Sequence, residues 1–323
     1  MASVPVWRLQ IRSKITLAAL VGITTIGCGS PTPTGADGAN AAPTNTTANG
    51  VTVVTPVASG GSDVGAPGAG PVSIQSKVDQ RYTQTFAEAT VDEVPDGMQL
   101  PVDRTLAGKS TGTLRDAVEQ EWTKIPLVSV NGTPLKYVAT VTTTQGSFDI
   151  ALRPDLAPNH VRNFIALSKI GYYDGLLVDR LVHQEAMAED GTKTRLDLMK
   201  LGCPKGTGED GLGHIGYFLQ PEFTDVVNHE LGTIGFWHED LPQSAGTRLY
   251  ITLGAAPALD RSFSIFGKVS AGLDVVQKIA TQPTQSATMF PEIETPMQSV
   301  TIQKVTIGRD DVEIPAGVDQ NKR

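Results

Sequence analysis

The side chains able to carry chemistry in this chain exclude more functions than they support. His214, His229 and His238 lack the spacing of a zinc-binding helix, so no metal site is expected. The glycine-rich segment Gly206–Gly213 has no Lys-Ser/Thr pair for a phosphate. Asn228–Glu230 precedes a predicted strand and is interpreted as a loop cap. We therefore expect no cofactor.

The elements that position functional residues are predicted from Lys136 onward, and they indicate a mainly β domain. The strand predictions are Tyr137–Thr143, Ser147–Arg153, Leu177–Val182, Leu196–Gly202, Thr233–His238, Arg248–Leu253, Ser264–Val269 and Val300–Ile307. The helix predictions are Asn159–Ile170, which Gly171 ends, and Gly272–Thr281. Many short strands with two helices favour a closed antiparallel barrel, which leaves no exposed sheet edge.

Two long stretches of this pattern, Thr143–Leu177 and Arg248–Ile279, resemble the cyclophilin-type peptidyl-prolyl isomerases. The shared features are the strand after Gln145-Gly146, the helix from Ala157-Pro158 through Asn163-Phe164, the turn Gly171–Gly175 and a strand that carries Arg180. The resemblance covers about Lys136–Gly308. It implies a closed eight-stranded antiparallel barrel capped by two α-helices, and isomerisation of Xaa-Pro bonds with Arg180 as the catalytic residue.

Prolyl isomerisation requires a site that binds a twisted amide better than either planar form. Amide resonance sets a barrier of roughly 18–20 kcal/mol, and no nucleophile or metal is needed to lower it. An arginine suits the task because its planar guanidinium stays charged and keeps its direction. Asp179 is expected on the opposite strand face, so it need not neutralise Arg180.

The resemblance also implies a set of groove residues. They are Leu198, Met199, Lys200, Trp237, His238, Arg248, Tyr250, Leu259 and Phe263. Leu198, Tyr250, Leu259 and Phe263 would form the pocket for the proline ring.

Several substitutions distinguish this groove from the family pattern. Lys200 replaces a glutamine, and its repulsion from Arg180 is unfavourable unless Lys200 turns to solvent. Trp237 and His238 are bulkier than the usual residues and would narrow the groove. Ala258 replaces a tryptophan, so weaker cyclosporin binding is expected. The segment after Arg180 is longer than usual and is predicted to form an extended hairpin that turns at 189–191.

The amino terminus predicts export. The basic residues Arg8, Arg12 and Lys14 precede a largely apolar run, Ile15–Gly27, which is too short for an ordinary membrane-spanning helix. Residues 1–27 are predicted to be a signal peptide that ends at a bacterial lipoprotein box, with Cys28 as the lipidation site. A plain signal peptide with an incidental Cys28 is the alternative. Lipidation would anchor an extracytoplasmic protein to the cell membrane.

Composition divides the rest of the chain. Residues 28–75 are rich in Pro, Thr, Gly, Ala and Ser, which is typical of a flexible tether. Residues 76–130 are predicted as a helical extension, with one helix capped by Thr113 and another over Gln75–Ala89. Residues 131–308 form the cyclophilin-like domain, and 309–323 a polar tail. Cys203 is expected to be a small buried side chain.

Charge argues against a nucleic-acid partner. Residues 1–27 carry three of the 26 basic residues, so the chain after them has 23 Lys and Arg against 34 Asp and Glu, a balance of −11.

These features predict a monomeric peptidyl-prolyl cis-trans isomerase that acts on proline-containing segments of exported proteins. The alternatives are a catalytically weak cyclophilin-like module that binds or chaperones peptides, and a purely structural envelope lipoprotein.

Overall fold

The structure is a computed structural model that describes residues 79–286 and 294–309. The predicted signal peptide, Cys28, the tether over 28–75 and the tail from residue 310 lie outside the described residues. Within the described ranges, no helix has both the length and the apolar character needed to cross a bilayer.

Ten strands of the described residues form one sheet, which confirms the mainly β prediction. Their ranges are β2 Tyr137–Thr143, β3 Gly146–Leu152, β4 Val178–Met187, β5 Lys193–Leu201, β7 Thr233–Phe236, β8 Leu249–Thr252, β9 Ile265–Ala271, β10 Thr284–Ser286, β11 Glu294–Pro296 and β12 Ile302–Arg309. Their order is β10-β11-β4-β5-β8-β7-β9-β3-β2-β12. A separate pair joins β1, Thr90–Val91, to β6, Phe218–Leu219. Each of the eight predicted strands is present with ends shifted by a few residues, whereas the short strands β1, β6, β10 and β11 were not predicted.

The sheet order is open, so the closed eight-stranded barrel stays a prediction. The segments before β4 and β12 nevertheless meet at an isolated bridge between Leu177 and Thr301. The amide of Val178 also donates to the carbonyl of Val300 over 2.9 Å.

Both predicted helices are present and pack on this sheet. They are α3, Pro158–Lys169, and α4, Leu273–Ala280, which follow the short helix α1, Phe86–Ala89, and the helix α2, Thr111–Trp122. The helix α3 is buried on nearly all sides, because α2 covers the side that the sheet leaves open. Its first turn has no cap from Ala157, and Glu222 instead accepts hydrogen bonds from the amides of Asn159 and His160. A carboxylate stabilises a helix amino terminus in this position.

The extension differs from the sequence prediction in two places. Ser110 rather than Thr113 caps α2, so the helix begins earlier than predicted. Residues 75–78 of the predicted helix over Gln75–Ala89 lie outside the described residues. The described part is interrupted after a 3₁₀ turn at Gln80–Thr83, because Thr85 is extended and forms a capping box for α1. Inside the extension, the indole nitrogen of Trp122 donates to the carbonyl of Gln84. The extension contacts the main domain at the same carbonyl, which also accepts from Nη1 of Arg162 on α3.

The predicted hairpin is present as the long antiparallel pair of β4 and β5, whose register runs out to Met187 opposite Lys193. Its turn is closed by the amide of Gly191 donating to Ala188.

Candidate functional site

One row of side chains crosses three neighbouring strands on the outer face of the sheet. Arg180 on β4 lies opposite Lys200 on β5, and Lys200 lies opposite Tyr250 on β8. Because side chains alternate between the two faces of a strand, Leu198 shares this face with Lys200, and Val182 shares it with Arg180. The register therefore places cationic and apolar groups side by side.

An apolar cluster, here called the outer cluster, occupies this face apart from the main core. Its members are Val182, Ala186, Leu196, Leu198, Tyr250, Ala256 and Leu259, with Trp237, Ala258 and Phe263 packed against them. The structure thus brings together Leu198, Tyr250, Leu259 and Phe263, the four side chains predicted to form the proline pocket. Leu198 and Tyr250 are fully buried, and Phe263 is half-buried.

Arg180 lies at one end of the outer cluster and is held by the glycine-rich loop. Its Nη1 donates to Oδ1 of Asp210 over 2.8 Å, and the Arg180 side chain is 7% exposed against 52% for Asp210. Partial burial would raise the pKa of Asp210, but the charges of Lys200, Arg180 and Arg248 outweigh it and lower that pKa. Asp210 is a site residue that the sequence reasoning missed, although it lies in the segment noted for its glycines.

Two predicted groove residues lie elsewhere. Met199 points into the main core, because it alternates with Leu198 and Lys200 along β5. Arg248 is fully buried in an ion pair, with Nε 3.0 Å from Oδ1 of Asp179. Asp179 lies at a bulge between Val178 and Arg180 and is buried, and its Oδ2 accepts from the amide of Cys203. These placements correct the predicted substrate-binding roles of Met199 and Arg248, and they leave Asp179 paired with Arg248 rather than Arg180.

Lys200 is buried instead of turning to solvent. Its Nζ lies 3.0 Å from the centroid of the Trp237 ring, and the residue is 2% exposed. Burial, followed by the charges of Arg248 and Arg180, lowers the pKa of Lys200 well below the usual value. Trp237 therefore covers the amine of Lys200.

Two further contacts fix the aromatic wall. The indole nitrogen of Trp237 donates to Oε2 of Glu239 over 3.1 Å, while Oε1 of Glu239 accepts from the amide of Gly211. His238 stacks on Phe263 with ring centroids 3.8 Å apart, and both its ring nitrogens lie 2.7 Å from backbone carbonyl oxygens. Glu239 thus links the covering indole to the loop that holds Arg180.

His229 is more than the predicted loop cap. Its amide donates to Asp260, and its ring lies between Asp260 and the hydroxyl of Tyr250. Sequence reasoning missed this contact because the three residues come from separate segments. Among the described residues, no cluster of three or more His, Cys, Asp or Glu side chains has the geometry of a metal site.

The comparisons with known proteins agree with this architecture. The family described as cyclophilin type peptidyl-prolyl cis-trans isomerase/CLD matches residues 137–307. The chain is 32% identical over 154 residues to peptidyl-prolyl cis-trans isomerase cypE of Dictyostelium discoideum, with 48% of this chain and 91% of that protein covered. It is 29% identical over 147 residues to CYP18-2 of Arabidopsis thaliana, with coverages of 46% and 82%.

Other matches are more distant or partial. The isomerase cyp15 of Rhizopus delemar is 32% identical over 141 residues, which is 44% of this chain but 20% of that longer protein. A crystal structure of a Cryptosporidium parvum cyclophilin type isomerase has 21% identity and a TM-score of 0.44, and the match covers 54% of this chain and 98% of that one. The named relatives are isomerases, which supports the enzyme class predicted from the sequence. The chain belongs to the cyclophilin-type peptidyl-prolyl cis-trans isomerase family.

Proposed function

We propose that this protein isomerises Xaa-Pro bonds of exported polypeptides, with Arg180 as the donor that stabilises the twisted amide. The observation that carries the proposal is the position of the Arg180 guanidinium beside an apolar cluster on the same sheet face. Such a cluster suits a proline ring, and a charged donor next to it can reach the carbonyl oxygen and the pyramidal nitrogen of the bond. Family membership supports the same reaction.

The contacts of Arg180 suit a catalytic donor. Among the described residues, Asp210 is the only side chain that accepts a hydrogen bond from Arg180. The guanidinium therefore keeps further N–H groups for a substrate while Asp210 fixes its direction. A single preorganised donor of this kind supplies about 10²–10³ in rate.

A comparison of two arginine variants tests the proposal. Arg180→Ala should lower kcat/KM for a short Ala-Pro peptide by about 10²–10³. Arg195→Ala is the matched control, because Arg195 lies on β5 and is exposed, with its ion pair directed to Asp197. Equal activity of wild type and Arg180→Ala would contradict the role of Arg180.

The second candidate is a binding module that holds peptides without accelerating their isomerisation. It is favoured by the indole of Trp237, which covers Lys200 and occupies the space beside Tyr250. Peptide binding with no rate increase in either wild type or Arg180→Ala would support this module over the enzyme.

We also propose that the protein is a monomer held outside the cytoplasm by a lipid on Cys28. The support is the basic and apolar amino-terminal pattern that ends at Cys28. Cys28→Ala should move the protein from the membrane fraction to the soluble fraction. Equal fractionation of the two forms in the soluble pool would contradict the anchor.

A further inference from the structure

Three polar side chains form a hydrogen-bonded chain behind the outer cluster, here called the Asp260–His229–Tyr250 chain. Oδ1 of Asp260 lies 2.8 Å from Nδ1 of His229, and Nε2 of His229 lies 2.7 Å from the hydroxyl oxygen of Tyr250. The same Asp260 oxygen accepts from the backbone amide of His229 over 2.7 Å. The imidazole is therefore held on both sides, and the Asp260 carboxylate also holds the backbone amide of His229.

The hydrogen-bond acceptors determine where the protons lie in the Asp260–His229–Tyr250 chain. A carboxylate only accepts hydrogen bonds, so Nδ1 of His229 carries the proton that Asp260 receives. The Nε2 atom is then an acceptor, and the Tyr250 hydroxyl donates to it. Burial, against the opposing effect of Asp260, lowers the pKa of His229, which keeps the ring neutral. Burial also raises the pKa of the Tyr250 hydroxyl, which keeps its proton.

The hydrogen bond of the Tyr250 hydroxyl orients the ring, whose contacts with its other neighbours are packing contacts. The Tyr250 ring lies against Gly235 of the neighbouring strand β7, where an added β-carbon would lie 2.5 Å from Cζ of the ring. The other ring contacts are edge-to-face, to Trp237 at 6.2 Å and to Phe263 at 5.7 Å between centroids. Glu230, which follows His229, is directed instead to Lys268 at 2.7 Å. The charged group that faces His229 is thus Asp260.

We propose that His229 and Asp260 are positioning residues that fix the ring of Tyr250 as the wall of the proline pocket. This proposal rests on the proposed function, since it assigns the pocket in which the proline ring binds. A wall that contacts the ring equally in the planar and twisted states contributes uniform binding. Its loss should therefore raise KM and leave kcat unchanged.

Variants in the full chain separate positioning from general stability. Tyr250→Phe keeps the ring and removes the hydroxyl, and we expect about a fivefold rise in KM for an Ala-Pro peptide, the factor that one net hydrogen bond corresponds to. His229→Ala should give a similar rise, and the double variant should be no worse than either single one. His229→Gln offers an acceptor oxygen near the place of Nε2 and should recover part of the affinity. Additive effects, or an unchanged KM in Tyr250→Phe, would overturn the proposal.

Nitrogen NMR of the wild-type protein gives a test that needs no variant to fold. The Nδ1–H tautomer of His229 is expected at neutral pH. An Nε2–H tautomer would overturn the proposal. If the protein binds Ala-Pro peptides without turnover, the Kd replaces KM, so failure of catalysis alone does not decide this question. If wild type binds no such peptide, both proposals fail, whereas normal wild-type activity with additive variants overturns only this one.

Discussion

The two ends of the outer cluster hold their polar groups by different means. At the cationic end, Arg180 and Lys200 are held by charge and by an indole, and the partner Asp210 is half exposed. At the apolar end, Tyr250 is held by buried hydrogen bonds of a neutral histidine. The indole over Lys200 is held by a hydrogen bond to Glu239, whereas the Tyr250 hydroxyl is buried in its hydrogen bond to His229. We infer that substrate displaces Trp237 at the cationic end, beside a fixed Arg180, and meets a fixed wall at the apolar end.

The largest expected effect comes from the buried ion pair beneath the cationic end. Arg248→Ala should lower the free energy of unfolding by about 3–5 kcal/mol, because it leaves the buried charge of Asp179 without its partner. Urea unfolding measures the change. Arg195→Ala, which removes an exposed ion pair, should leave stability nearly unchanged. Similar losses in the two variants would show that burial does not distinguish these arginines.

Replacing Lys200 should instead raise the free energy of unfolding. Lys200→Met keeps the length of the side chain and removes a desolvated amine beside two arginines, so it should stabilise the protein by about 1–4 kcal/mol. The lowered pKa means that the unfolded chain binds more protons than the native one up to about pH 10.5. Wild-type stability should therefore rise with pH toward that value, and the advantage of Lys200→Met should shrink. Lys205→Met, on a partly exposed lysine paired with Glu209, is the control. Destabilisation by Lys200→Met would contradict this account.

Acid should destabilise the protein by protonating the histidines that are buried in the neutral form. Burial lowers the pKa of His229 and of His214, so each is less protonated in the native protein than in the unfolded chain. The contribution of these two histidines to stability is then complete above about pH 6.5 and falls below it, by at most about 1.4 kcal/mol per pH unit for each group. His229→Gln should reduce this slope, and the more exposed His183→Gln should not. A stability that does not change between pH 7 and pH 5 would refute the prediction.

The smallest expected effect comes from the hydrogen bond that Glu239 accepts from the Trp237 indole over Lys200. Glu239→Ala removes the acceptor of the Trp237 indole nitrogen, which lowers the work of moving the ring away from Lys200. Affinity for an Ala-Pro peptide should improve about fivefold, the equivalent of one net hydrogen bond. Calorimetry measures the Kd, with the exposed Glu189→Ala as control. Weaker binding by Glu239→Ala would show that Trp237 belongs to the binding surface as it stands.

Sequence periodicity predicted the sheet and the apolar end better than the cationic end. Alternation places Leu198 on the outer face, and it also excludes Met199 from that face, a consequence that the groove prediction overlooked. The pairs Arg180–Asp210 and His229–Asp260 join residues 30 and 31 positions apart. Alternation defines the face of a strand residue, but loop conformation selects its partner, and tertiary contacts determine that conformation.

A structure of the protein with a bound Ala-Pro peptide tests the central claim most directly. We predict that the proline ring packs against Tyr250, Leu198 and Leu259. The carbonyl oxygen of the Ala-Pro bond should lie about 3 Å from the Arg180 guanidinium, and Trp237 should be displaced from Lys200. A peptide bound away from Arg180, or one bound with Trp237 still over Lys200 and the guanidinium out of reach, would contradict the account.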